Sequence, residues 1–197
     1  SVSAFLLNRS SDLRFIKMAN FNNTNANQFK FQLEPYPTTG TPTDYNIVPY
    51  GKTTGDMYVT KDNATADAVT LSSTNSDVKA RWKFVKTDAL NKTAPFSLSD
   101  DNKSFFYTIG SKGSEGYYIV PPTGEATAVT TSNETTDEVS KNRSWFIELA
   151  ESPTTENWLT YYYIRNAVTG DFLYFTKDDI GTAAAFEMRS AETHSAI

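Results

Sequence analysis

The sequence predicts an all-β chain closed by hairpin pseudo-repeats, and three observations carry that prediction. The stretch TYYYIRNAVTGDFLYF (Thr160–Phe175) reads as an aromatic strand, a Gly170–Asp171 turn and a second strand, and this plan recurs along the chain. Aromatic residues make up 14% of the chain, with 13 Phe and 11 Tyr, more ring surface than a disordered chain carries. No segment has a convincing helical period, while abundant Thr and scattered Gly and Pro favour short strands joined by turns.

Taken in order, the hairpins are AFLLNRSSDLRFIKM (Ala4–Met18), DYNIVPYGKTTGDMYVT (Asp44–Thr60), SFFYTIGSKGSEGYYIV (Ser104–Val120) and Thr160–Phe175. Their turns fall at Ser11–Asp12, at Gly55–Asp56, in a glycine-containing connection before Tyr117, and at Gly170–Asp171. An aromatic strand follows each: QFKFQL (Gln28–Leu33), RWKFVK (Arg81–Lys86), SWFIEL (Ser144–Leu149) and AFEMRS (Ala185–Ser190). The anchors align as Phe29, Trp82, Trp145 and Phe186. The two middle units add a small strand each, AVTL (Ala68–Leu71) and ATAVT (Ala126–Thr130). The units therefore run 4–33, 44–86, 104–149 and 160–190 within a single domain of 197 residues, a length suited to one well-buried core.

A hairpin with one apolar face cannot bury that face alone, so related units stack around an axis, and closure removes the sheet edges that invite aggregation. Alternation supports strands: Ile16 and Met18 flank Lys17, and Trp82 and Phe84 flank Lys83. Trp82 and Trp145 are expected at equivalent core positions in successive units. A closed barrel is the expected architecture, and a four-bladed β-propeller is the alternative.

The formal charge is −5 and Lys and Arg form no stripe, so nucleic acid is not an expected partner. The chain has no Cys, hence neither disulfide nor thiolate chemistry. That leaves both cytoplasm and exterior open, with a secreted location favoured. Seven N-x-Ser/Thr triplets begin at Asn8, Asn22, Asn63, Asn91, Asn102, Asn133 and Asn142. No run of apolar residues is long enough to span a bilayer, so membrane insertion is not expected.

The fourth unit matches a known pattern. Tyr162, Ile164 and Asn166 fit Y-x-I-x-N, and Thr169, Gly170 and Leu173 fit the S/T-G-x-x-L that follows it. Thr54 and Gly55 repeat part of it, with Asn46 nearby but out of register. In this the chain resembles the ricin-B-type β-trefoil, especially its fungal and bacterial lectin-like branches. The resemblance implies a β-trefoil fold and non-catalytic carbohydrate binding, with glycans or glycoproteins as partners. β-Trefoils also serve as protease inhibitors through long exposed loops, so a protease is the alternative partner. Two features depart from the family: Asn27, Ala80, Arg143 and Ala184 stand where it has the glutamine of Q-x-W, and four anchors stand where a trefoil has three units.

The residues offer little to catalysis. His194 is the only histidine and lies near the end of the chain, so neither a His-based triad nor a His/Cys zinc site assembles. Asp100–Asp101 and Asp178–Asp179 read as solvated turn acids without calcium-loop spacing, and no phosphate-cradling Gly loop is present. The expectation is a protein that is not an enzyme and needs no cofactor or metal.

Sugar recognition needs less: a ring for the sugar face, and Asp or Asn for its hydroxyls. Asn166, Asp171 and Tyr174 form one candidate ligand-binding group, and Asp56 and Tyr58, with Asp44 and Asn46, form another. Each residue also has a structural role open to it: Asp56 and Asp171 in their own turns, Tyr58 and Tyr174 in the core. The loops Pro35–Asp44, Lys86–Ser104 and Pro121–Val129 are the competing surface for protein recognition.

Overall fold

The computed structural model describes residues 17–20, 27–50, 58–61, 68–72, 77–87, 93–95, 106–125, 128–136, 142–151, 160–175 and 187–189. In chain order the strands are β1 (Lys17–Asn20), β2 (Phe31–Tyr36), β3 (Asp44–Pro49), β4 (Tyr58–Lys61), β5 (Val69–Ser72), β6 (Arg81–Thr87) and β7 (Thr93–Pro95). There follow β8 (Phe106–Ser111), β9 (Tyr118–Val120), β10 (Thr130–Ser132), β11 (Trp145–Glu151), β12 (Tyr161–Asn166), β13 (Phe172–Tyr174) and β14 (Glu187–Arg189).

Six of these strands close an antiparallel barrel. β2 pairs with β3, β3 with β6, β6 with β8, β8 with β11, β11 with β12, and β12 returns to β2. The period-two pattern read in β6 holds, with Trp82 and Phe84 buried and Lys83 exposed between them. Phe31 and Leu33, Tyr45 and Ile47, Tyr107 and Ile109, and Trp145 and Ile147 join them in one buried cluster. Burial pushes the phenols of Tyr45 and Tyr162 above the usual tyrosine range, and at Tyr162 the neighbouring Tyr45 adds to the effect. The strands thus form one barrel, not four separate blades.

The register repeats three times around the barrel. Trp82 lies between Tyr45 and Ser111 on the flanking strands, Trp145 between Tyr107 and Asn166, and Phe31 between Tyr162 and Pro49. One residue further on, the same backbone bond recurs: Tyr50 N donates to Lys30 O (2.9 Å), Lys112 N to Arg81 O (3.0 Å) and Ala167 N to Ser144 O (2.8 Å). A tight turn precedes each of the three strands: 3-10 turns at 27–29 and Val78–Ala80, and a helical turn at Asn142.

Both indoles are fully buried and both satisfy their N–H on a peripheral strand. Trp82 Nε1 donates to Val59 O at 2.7 Å and Trp145 Nε1 to Ile119 O at 3.1 Å. The third equivalent position, Phe31, has no N–H to donate. Alignment by aromatic spacing selects Phe29 there, and the ladder corrects it by two residues. Both phenylalanines are fully buried, so a period-two pattern alone does not distinguish them.

Peripheral pairs cover the barrel in the same threefold manner. Val59 of β4 faces Leu71 of β5, Ile119 of β9 faces Thr131 of β10, and Leu173 of β13 faces Met18 of β1. The third set is therefore assembled from both ends of the chain: β12 and β13 from the C-terminal part, β1 and β2 from the N-terminal part. The first and fourth units of the sequence contribute the two halves of this set, so neither carries the added small strand of the middle units. The strand read as AVTL is β5, one residue further on, and of the strand expected at Ala126–Thr130 residues 126–127 lie outside the described residues while Thr130 opens β10. Phe186 lies outside the described residues, and β14 just beyond its position runs parallel to β1.

Candidate functional site

The group Asn166, Asp171 and Tyr174 surrounds the β12–β13 turn, and most of its polar capacity is spent on the turn itself. Asn166 is fully buried. Its Oδ1 accepts from Val168 N and Thr169 N, both at 3.0 Å, and its Nδ2 donates to Asn142 O at 2.6 Å. Its backbone N–H donates to Asp171 O (2.8 Å), and Gly170, at φ 76°, donates from its backbone N to Asn166 O (3.0 Å). Asp171 N donates to Thr169 Oγ1 at 3.2 Å. The Asp171 carboxyl is half-exposed; burial raises its pKa above the usual aspartate range, and a hydrogen bond with Thr169 works in the opposite direction. Tyr174 is not the exposed stacking face expected of it. Its ring lies in the core with the rest of β13, 4.9 Å from the ring of Phe29.

The second candidate group is likewise built into the structure. Tyr58 is buried in a small cluster with Val48 and Ala80. Asn46 Nδ2 donates to Ala80 O at 2.8 Å, and buried Asp44 accepts from Thr43 Oγ1 at 3.3 Å. Asp56 lies outside the described residues.

A cleft of about 190 Å³ opens elsewhere, over β6, β8 and β9. Lys83 and Val85 line it from β6, Gly110 and Ser111 from β8, Lys112, Glu115 and Gly116 from the connection, and Tyr118 from β9. The register explains the hollow. Lys83 faces Gly110 and Gly110 faces Tyr118, so three neighbouring strands present these residues at one level on one face. Gly110, itself buried, lets the Tyr118 ring lie against the strand, where a Cβ would come 3.3 Å from Tyr118 Cε1, and the cleft opens beside this contact.

The threefold register shows what fills this place in the other two sets. Val48 and Arg165 occupy the position of Gly110, each immediately before the residue that faces the central aromatic. Val48 packs with Tyr58 and closes the first hollow with apolar surface. Arg165 closes the third: its guanidinium lies 4.4 Å from the ring of Phe146 and 5.9 Å from that of Phe172, and binds Glu148 Oε1 through Nη2 at 2.6 Å and Nε at 2.9 Å. At Gly110 no side chain stands in the equivalent place, and the Tyr118 ring lies over it with the cleft alongside.

The wall of the cleft is held firmly. Ser111 N donates to Tyr117 O (2.8 Å), Ser111 Oγ accepts from Ser114 N (3.1 Å), and Tyr117 N donates to Ser114 O (3.1 Å). At Gly113 the connection packs so closely on the Val78–Ala80 turn that a Cβ would lie 3.2 Å from Lys79 Cα. Gly116 takes φ 85°, a left-handed conformation that other residues rarely adopt.

The electrostatics differ from those of the chain as a whole. Lys83, Lys112 and Glu115 are exposed, and none is in an ion pair or side-chain hydrogen bond with another described residue. Arg143 lies 4.6 Å from the centroid of the half-exposed Tyr118 ring, and Lys61 Nζ 4.5 Å from that of Tyr117. The hairpin thus gathers cations on a chain whose formal charge is −5. Among the described residues no group of His, Cys, Asp and Glu is arranged to hold a metal ion.

The hairpin is one of the four read from the sequence, but its connection GSKGSEG carries no Asp and it enters neither candidate ligand group. A usable signal was present in the sequence: a Gly at the end of an aromatic strand, then Lys and Glu, then Tyr117–Tyr118. No family model matches the chain, and no curated protein matches its sequence.

Proposed function

We propose that the protein is a non-catalytic, lectin-like carbohydrate-binding protein built as a β-trefoil, with the cleft over Gly110 as its ligand site. The three equivalent strand relations around the barrel and the three peripheral pairs support the trefoil reading. The single observation that carries the function is the cleft beside Gly110, where a half-exposed tyrosine stands among Lys83, Lys112 and Glu115, whose side chains form no ion pair among the described residues. A pyranose needs such a combination: an aromatic wall for its apolar face and fixed charged or polar groups for its hydroxyls. The connecting hairpin is rigidly bonded, which lowers the entropic cost of ordering those groups on binding.

A glycan array tests this reading on the full chain beside two variants. Gly110→Val places a side chain where Val48 stands in the first set, pushes the Tyr118 ring off the strand and is expected to abolish glycan binding. Asp171→Ala reports on the half-exposed carboxyl at the β12–β13 turn and is expected to leave binding within about twofold, well under the 1.4 kcal/mol that a tenfold change represents. Loss of binding in Asp171→Ala with retention in Gly110→Val places the site in the third set instead.

One observation favours protein recognition as a second reading. The β2–β3 connection projects an exposed stretch, Pro37–Gly40, from strands held by a Thr43 N to Tyr36 O bond of 3.0 Å. A loop displayed on a rigid base suits a protease cleft. Stoichiometric inhibition in a protease panel, with no glycan binding, selects it.

A further inference from the structure

We infer that the Gly110 cleft takes an acidic saccharide, one bearing a carboxylate or a sulfate, in preference to a neutral one. The inference rests on the carbohydrate reading and adds the chemical class of the ligand.

Lys83 and Lys112 line the cleft, approaching it from a barrel strand and from the hairpin connection. Neither ammonium is neutralised by a described residue, whereas Arg165 at the equivalent place in the third set is spent on Glu148. The cleft therefore keeps two cations available where its counterpart keeps none. The tyrosine wall points the same way. Arg143 already lies against the Tyr118 ring, which reduces what a neutral sugar gains by stacking.

Glu115, the one carboxylate lining the cleft, is suited to accept from a sugar hydroxyl. Two cations against one anion leave an excess of one positive charge, which an acidic group on the ligand would balance. At about 190 Å³ the space suits a single ring, so the recognised unit is one acidic residue of a longer chain. Attraction between exposed charges weakens as salt rises, so the affinity for such a ligand falls with ionic strength.

Calorimetric titration of the full chain distinguishes the outcomes. The probes are a tetragalacturonate, a sulfated heparin tetrasaccharide, and the carboxyl-reduced and desulfated counterpart of each. The expected result is at least tenfold tighter binding of one acidic probe than of its neutral counterpart. That preference should disappear in Lys83→Gln/Lys112→Gln, both exposed positions, with the melting temperature unchanged. Which acidic probe binds tells carboxylate from sulfate. Equal binding of acidic and neutral probes, or a preference that survives the double substitution, overturns the inference while the carbohydrate reading stands. Absence of binding to these probes, together with a glycan array on which only neutral sugars bind, also overturns it. An array with no glycan bound at all overturns both readings.

Discussion

The second and third sets place the same backbone around different contents. In each, the last residue of a barrel strand faces a tryptophan: Ser111 faces Trp82 and Asn166 faces Trp145. In each, that residue closes the following turn with its side chain and its backbone N–H. One position earlier they diverge. Gly110 lets the Tyr118 ring lie against the strand beside a cleft, whereas Arg165 fills the matching place with its own side chain and is neutralised by Glu148. A barrel of this kind can thus hold its supporting bonds constant while one position per set decides whether a surface is open or filled.

The largest expected effect tests whether the two hubs are equivalent. Trp82→Ala and Trp145→Ala should each destabilise the fold by about 3–5 kcal/mol, the cost of truncating a large buried aromatic, in urea unfolding. Each also strands a backbone carbonyl, Val59 O or Ile119 O. A loss below about 1 kcal/mol at either would break the equivalence.

The turn residues should separate the two sets at an intermediate level. Asn166→Ala removes three side-chain hydrogen bonds from a fully buried place and should cost about 2–3 kcal/mol, since buried partners are left unsatisfied. Ser111→Ala removes the Ser114 N to Ser111 Oγ bond and should cost about 1 kcal/mol. Similar losses at the two positions would show that the Asn166 network adds nothing beyond a single turn bond.

The smallest effect concerns pH. Burial raises the Asp171 carboxyl in the folded chain, so folding favours its protonated form. The stability linked to that proton is present below the unfolded aspartate pKa and is lost as pH rises through the folded value. At neutral pH the charged carboxylate is therefore a small burden. Asp171→Asn should raise the melting temperature slightly at pH 7, and the gain should shrink as the pH is lowered through the acid range. A drop in melting temperature at pH 7 would mean that the carboxylate is held by favourable contacts.

Much of the barrel was legible because strand alternation is a local property. Trp82, Lys83 and Phe84 show their in–out–in order in three consecutive letters, and the burial follows it. The number of sets was not legible, because β1 and β13 meet only through the closure of the barrel and lie at opposite ends of the chain. Nor was the choice between Phe29 and Phe31, since a slip of two residues keeps every side chain on its face. The site residues chosen from the resemblance shared this difficulty. Asn166 fits the motif but holds the turn, and Tyr174, one residue beyond the motif's Leu173, fills the core; the motif does not say which polar atoms remain unspent.

The sequence by itself determined that this is a β protein of recurring aromatic hairpins, with Trp82 and Trp145 at its hubs, because ring content, turn residues and period-two burial are written locally. Only the tertiary structure decided that two terminal fragments complete a third set, and that Val48, Gly110 and Arg165 are the same position three times over. That equivalence depends on hydrogen-bond register between strands far apart in sequence, and register decides which side chains share a surface. A glycine among turn residues says little alone; between Lys83 and Tyr118 on neighbouring strands, it makes the cleft.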